Sequence, residues 1–194
     1  MRPEAIQIIK DEHFAIAAVM YCLRHLVRQM RDHGEAPNFP LLHAILDYIV
    51  SYPDRWHHPK ENDYLFAAIR ERSAIANALI ERLEQDHLDG HPRIEDLKNR
   101  LNAFERQGEA APFYAAAEAY AQTEWDHMRR EEDELMPLAE RVLTAEDWQR
   151  IYDAFRENDN PLYGIKPKED AERLYQRILS LAPAPIGYAP GKGR

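Results

Sequence analysis

Apolar side chains recur along this chain at alternating steps of three and four residues, the spacing that gathers them on one face of a helix. The first stripe runs Ile6, Ile9, His13, Ile16, Met20, Leu23, Val27 and Met30, with one histidine inside an otherwise apolar seam. The second, Leu42, Leu46, Ile49, His57, Glu61, Leu65 and Ala68, is less regular because Pro53 and Pro59 interrupt it. A proline inside a helix predicts a kink, here beside His57. The third is Ile80, Leu83, His87, Gly90, Ile94, Leu97, Leu101 and Phe104, again with one histidine, followed by a glycine that leaves space. The fourth, Phe113, Ala117, Tyr120, Glu124, His127, Glu131, Leu135, Leu138 and Val142, is polar at its middle. There is no alternating strand pattern and no internal repeat.

The breaks between stripes carry turn chemistry. Gly34-Glu-Ala-Pro-Asn38 reads as a helix stop followed by a cap, and Gln107-Gly108-Glu-Ala-Ala-Pro112 repeats that punctuation. A third break falls near Arg72-Ser73, where Ser73 suits an N-cap. Thr144-Ala-Glu-Asp147 resembles a capping box and predicts a shorter helix to about Arg156. Pro167 to Leu181 predicts another, and the breaker-rich tail after Ala182 reads as disordered. The expected fold is all-α: an up-down-up-down four-helix bundle with one or two shorter C-terminal helices and a disordered tail. Residues 1–158 form the bundle and its following short helix, and 159–194 an extension that packs on the bundle, pairs two copies or contacts a partner.

Composition narrows the partners. In 194 residues, 25 basic and 34 acidic side chains leave a net charge of −9, which repels nucleic acid and anionic membranes. Cys22 is the only cysteine, which excludes an internal disulfide or a thiolate-built metal site and fits a reducing compartment. The longest apolar run, Ala15–Met20, is too short to span a bilayer, and the first residues show no signal-peptide pattern. The expectation is a cytoplasmic protein, with a homodimer as one oligomeric option.

Several histidines and carboxylates in one apolar core cost several kcal/mol per unpaired group, so they must satisfy one another or a metal. Axial arithmetic brings them together. His13 lies about 30 Å before the first turn and His57 about 27 Å after it, at the helical rise of about 1.5 Å per residue. Across the second turn His57 and His87 lie about 22 and 20 Å away, and across the third His87 and His127 about 30 and 26 Å. All four occupy one layer. His57 and His127 each carry a glutamate four residues on, Glu61 and Glu131, on the same helix face. This duplicated His-x-x-x-Glu, facing two further histidines, reads as a dinuclear metal site. Imidazole and carboxylate without thiolate suit iron, with zinc or manganese as alternatives.

These motifs, Asp-Glu-His13, His57-His58-Pro-Lys-Glu61, Asp-His87-Leu-Asp-Gly90-His91 and His127-Met-Arg-Arg-Glu131-Glu132, resemble the hemerythrin-like family of HHE cation-binding domains over residues 3 to 158. The resemblance implies a four-helix bundle around a non-haem centre of two iron ions. His13, His57, His87 and His127 then correspond to terminal nitrogen ligands, and Glu61 and Glu131 to bridging carboxylates. Oxygen-carrying members space the last pair as His-x-x-x-x-Asp, whereas Glu131 comes one residue earlier and Glu132 holds the later position. His91 stands where those carriers place a second third-helix histidine ligand, although Pro92 follows it. With His91 one coordination position stays open for a small molecule, and without it two. His58 points about 100° from His57 on a regular helix and reads as an outer or surface residue unless the proline kink turns it inward. Asp11, Glu12, Asp86 and Asp126 read as solvated charges, with the orienting of a ligand imidazole through its other nitrogen as the alternative for one of them, and the pair Arg129-Arg130 reads as surface charge. His25, His33 and His43 fall off the seams.

The functional expectation is a di-iron protein that binds or senses dioxygen, nitric oxide or iron itself. The alternative is an oxidoreductase acting on peroxide or nitric oxide, with Tyr114, Tyr120 or Trp56 near the centre. A third reading is a metal-free interaction module whose polar layer fixes helix register.

Overall fold

A computed structural model describes residues 2–156, Gln176 and residues 178–180. Among them there is no strand. The first rod is α1 (Arg2–His33), ended by Gly34 at φ 66°. Asn38 then caps α2 (Phe39–Ser51), its side chain accepting the Leu41 N–H at 3.2 Å, with Pro40 in the first turn where its missing donor costs nothing. The second rod does not end at its prolines. It continues through a π turn at Pro53–His57, a short α3 (His58–Lys60), a second π segment at Glu61–Phe66, and α4 (Ala67–Arg72). Ser73 breaks it in extended conformation, its hydroxyl accepting the Ile75 N–H, and a 3₁₀ turn (Ala74–Ala76) leads into α5 (Asn77–Gln107). Gly108, at φ 79°, ends that rod. The fourth rod is α6 (Ala110–Arg130), a third π turn (Glu131–Leu135) and α7 (Met136–Val142).

α1 packs on α6, α6 on α5, and α5 on α2, while α1 and α2 close the ring, giving the expected up-down-up-down bundle. The capping box forms as its sequence predicts. The Thr144 N–H donates to Asp147 Oδ2 at 2.9 Å, the Asp147 N–H donates to Thr144 Oγ1 at 3.3 Å, and α8 (Ala145–Arg156) follows. Arg72 donates twice to Asp147, at 2.8 and 3.0 Å, which ties α8 to the end of the second rod. Trp148, Ile151 and Phe155 turn inward, and α8 lies along α1.

The apolar stripes bury as two cores. One gathers Ile16, Met20, Leu23, Leu42, Leu46, Ile94, Leu97, Phe113 and their neighbours. The other gathers Ile9, Leu65, Phe66, Ile80, Leu83, Leu135, Ile151 and Phe155. Each fully buried Leu, Ile or Phe contributes roughly 1.5–3 kcal/mol from surface removed from water. Between the two cores lies the polar layer. Of the expected helix from Pro167 to Leu181, Gln176 and residues 178–180 are helical and Ile178 is buried in the first core. The rest of that helix, the 158/159 boundary and the tail lie outside the described residues.

Candidate metal centre

The polar layer is built from five imidazoles and two carboxylates. His13, His57 and His127 are each 3% exposed or less, and Glu61 and Glu131 are fully buried. Glu61 Oε1 lies 3.4 Å from His13 Nε2 and 3.1 Å from His57 Nε2, while its Oε2 lies 3.5 Å from His87 Nε2. Glu131 mirrors it, with Oε2 3.3 Å from His13 Nε2 and Oε1 3.3 Å from His127 Nε2. Each carboxylate thus spans the layer, one oxygen toward each end. The donor atoms fall into two groups that share Glu61: His13 and His57 on one side, His58, His87 and His127 on the other.

The outer ring nitrogens show which inner ones are lone pairs. His13 Nδ1 donates to Glu132 Oε1 at 2.9 Å, and His57 Nδ1 donates to Glu12 Oε2 at 2.7 Å, because an ionised carboxylate can only accept. His87 Nδ1 faces Asn62 Oδ1 at 2.9 Å. Their Nε2 atoms are left as acceptors facing the acceptors Glu61 and Glu131. His87 Nε2 and His127 Nε2 also face each other, 2.9 Å apart. Glu61 Oε2 and both Glu131 oxygens have no hydrogen-bond partner. Buried lone pairs converging on buried carboxylates require positive charge among them.

Without metal, protons supply it. Burial acts to lower the His57 pKa, but Glu61 and Glu12 outweigh it and raise it to about 9. For His127 burial is likewise overcome, by Glu131 and Asp86, to about 10. His13 is raised well above its ordinary value against the same burial penalty, by Glu131, Glu132 and Glu61. In return, Glu61 is held well below the carboxylate range against the penalty of its burial, by His57 and His13 among others. A divalent cation displaces such protons and takes their place. The residues present fit cations bound through nitrogen and oxygen, with no thiolate: Cys22 is buried in the first core, its pKa pushed up to about 12 by burial.

The structure brings His13, His57, Glu61, His87, His127 and Glu131 together. His91 it leaves exposed on α5, outside both donor groups. Gly90 and Ile94 are the buried positions of α5 at that level, Gly90 facing Asp54 of the Pro53–His57 turn, while His91 turns to solvent. Gly90 is not required for space, since a Cβ there would meet only Asp54 Oδ1, at an ordinary 3.9 Å. His58, expected in an outer or surface role unless the chain turned it inward at the prolines, is turned inward and 6% exposed. Glu12 and Asp86, expected in solvent, instead back His57 and His127, Asp86 at 3.6 Å from His127 Nδ1 and held by Arg130. Asp11 and Asp126 stay on the surface, in pairs with Gln7 and with Gln122 and Arg129. His43 pairs with Glu105 at the surface. A motif scan keyed on ligand spacing misses Glu12 and Asp86, yet each immediately precedes a layer histidine on its own helix or lies across from one.

A helical bundle whose core is crossed by such a layer belongs to the class of cation-binding bundles. The family model of the Hemerythrin HHE cation binding domain matches residues 4–139, and the chain belongs to that family. The match spans the four rods and every residue of the layer. No curated protein and no solved structure matches the chain significantly.

Proposed function

We propose that the layer holds two iron ions and that the protein binds or senses a small ligand there, dioxygen or nitric oxide, or responds to iron itself. The observation that carries two ions rather than one is the span of Glu61 and Glu131, each with one oxygen toward each imidazole group. Carboxylates so placed bridge a pair of cations and offset their mutual repulsion, and an imidazole and carboxylate set without sulfur favours iron over softer metals. An iron pair supplies a redox change and open coordination for a small molecule.

The chain's own residues set the conditions for that chemistry. Glu12, Glu132 and Asn62 hold three of the rings by their outer nitrogens, and Asp86 lies 3.6 Å from that of His127, which fixes ring orientation and raises ligand basicity. The apolar cores above and below keep bulk water from the layer. A groove of about 380 Å³ between α1 and α6 has His13 and Glu132 in its wall, with Phe14 and Trp125 beside them, and gives a small molecule a route to the His13 side. No helix among the described residues is long and apolar enough to cross a membrane, and a single buried thiol suits a reducing cytoplasm.

Iron content and the visible spectrum test the reading. The wild type is expected to retain about two irons per chain and His57→Ala to lose that stoichiometry. A reduced protein whose spectrum changes with dioxygen and reverts on degassing supports ligand binding. Repeated turnover of peroxide with an electron donor would replace it with the oxidoreductase reading, and iron-free protein that stays empty under saturating ferrous salt would end both.

A further inference from the structure

We propose that His58 is the fifth imidazole ligand of the centre, in the role that spacing alone gives to His91. This deepens the two-cation reading and rests on it. On a regular helix, His58 would point about 100° from His57 and out of the bundle. The chain does not run as a regular helix here. In the turn Pro53–His57 the His58 N–H reaches back five residues to the Pro53 carbonyl, and this wider turn carries both side chains inward. Their ring centroids lie 5.7 Å apart, and both rings are buried.

Three features of His58 match those of the other layer histidines. Its ring stacks on His87 with centroids 4.2 Å apart and lies 5.6 Å from that of His127, so it sits among the donors of one cation. A donor atom from each of His58, Glu61, His87 and His127 falls within 4.8 Å of all the others. Its Nδ1 faces a carboxylate oxygen, Asp54 Oδ1 at 3.7 Å, as those of His57 and His13 face Glu12 and Glu132. That arrangement directs Nε2 to the centre and marks metal-bound histidines generally. Asp54 is also within electrostatic reach of His91, but His58 Nδ1 is the ring nitrogen that faces its carboxylate. Both its oxygens are buried without a hydrogen-bond partner, a costly state unless an outer ring N–H comes to them. His91 has no comparable support, being exposed on α5. Three imidazoles then face one cation and two face the other, with Glu61 and Glu131 between.

The test is anaerobic titration of the full-length, metal-free chain with ferrous iron, read by bound metal and by X-ray absorption for the number of imidazoles per iron. The wild type is expected to take two ions and His91→Ala to match it. His58→Ala is expected to bind one of them about tenfold or more weaker, with fewer imidazoles per iron, unchanged helical circular dichroism, and recovery on adding free imidazole. His58→Ala that binds two ions as tightly as wild type, or a loss in His91→Ala instead, overturns the assignment. So does a loss in His58→Ala that imidazole does not restore. A wild type that takes a single ion overturns the two-cation reading instead, and His58 then stands or falls on whether His58→Ala weakens that ion.

Discussion

α1 and α5 cross the polar layer as unbroken helices of 32 and 31 residues, whereas the second and fourth rods cross it through π turns. The regular pair each bring one imidazole, His13 and His87. The widened pair bring His57, His58 and Glu61 from one rod, and His127 and Glu131 from the other. A regular helix returns to one face only every three or four residues, so it presents single donors at intervals. A rod that must aim several donors at one point needs extra residues in its turns, and π turns concentrate at such sites. The backbone departs from its regular form where directional bonding sets the geometry. Away from these turns, where only apolar area matters, the helices stay regular, although Leu65, Phe66 and Leu135 of the second core still lie in the π segments that leave the layer.

The sharpest way to break that contrast is Glu61→Gln. Glu61 faces His13, His57 and His87, so one substitution removes the carboxylate proposed to bridge two cations and the counter-charge to protonated rings in the metal-free state. Two-iron binding is expected to vanish. Metal-free stability is expected to fall by about 3–5 kcal/mol, the cost of leaving a buried charge without its partner. Urea unfolding with unchanged stability would mean that these ion pairs do not hold the layer.

Leu46→Ala attacks the other region. Leu46 is fully buried in the first core, and its truncation is expected to cost about 2–5 kcal/mol through lost transfer energy and a residual cavity. The protein that remains folded should still bind iron with wild-type stoichiometry. Loss of both together would show that core and layer are one mechanical unit rather than two regions under different rules.

The same division decides what the sequence discloses. The four apolar stripes follow a fixed period, so the rods, their turns at Gly34, Ser73 and Gly108, and the capping box at Thr144 are all legible. Axial distance along regular rods also places His13, His57, His87 and His127 at one depth. What regular geometry cannot predict is a change of period. His58 reads as outward because every angle was counted at 3.6 residues per turn, and the π turn at Pro53–His57 invalidates that count locally. Glu12 and Asp86 read as solvated because a charged residue beside a seam normally faces water. Their burial follows from partners on other rods, His57 for Glu12 and His127 for Asp86, which no single-helix pattern contains. His91 is the converse case, a matching spacing on a face of α5 that is open to solvent and outside both donor groups.

Acidity separates the two regions next. In the metal-free protein His57 is held at about 9 and His127 at about 10, both above the unfolded value of about 6.5. Groups raised in this way contribute stability that is fully present below about pH 6.5 and lost as the pH rises through their folded values. Glu61 and Glu131 are lowered, so their contribution is present above about pH 4.5 and lost as the pH falls through their folded values. His58, held by burial well below its ordinary value, loses stability as the pH falls below about 6.5, and Glu124, raised by burial to about 7, loses it as the pH rises from about 4.5. The net expectation for the metal-free protein is a fall of a few kcal/mol from about pH 6 toward pH 9. Iron affinity should move the other way, rising with pH because binding releases those protons. Thermal unfolding of the metal-free protein at pH 6 and pH 9 measures the first. A flat profile would remove the proton-filled layer from the account.

Glu12→Gln tests the supports of the layer rather than its contacts with metal. Gln keeps the size and can still accept the His57 Nδ1 proton, but it removes the charge that sets ring basicity. The expected result is iron binding about 10–100-fold weaker at unchanged stoichiometry. Asp11→Asn, on the exposed face one residue earlier, should change nothing, and equal effects from the two would mean that the Glu12 carboxylate acts only through general surface charge.

The smallest effect belongs to α8, which lies outside the matched family region yet covers the layer: Phe155 meets the His57 ring edge-on at 6.2 Å, and Lys60 donates to the Ala154 carbonyl. Thr144→Ala removes the N-cap and should cost about 1 kcal/mol, since Asp147 keeps Arg72 and Arg150 as partners and continues to anchor the helix. Because α8 meets the His57 ring through Phe155 and takes no part in its Glu12 hydrogen bond, iron affinity should stay within about twofold of wild type. A drop of tenfold or more in Thr144→Ala would mean that α8 sets the position of the His57 ring, and that the layer is held from outside the four rods as well as from within them.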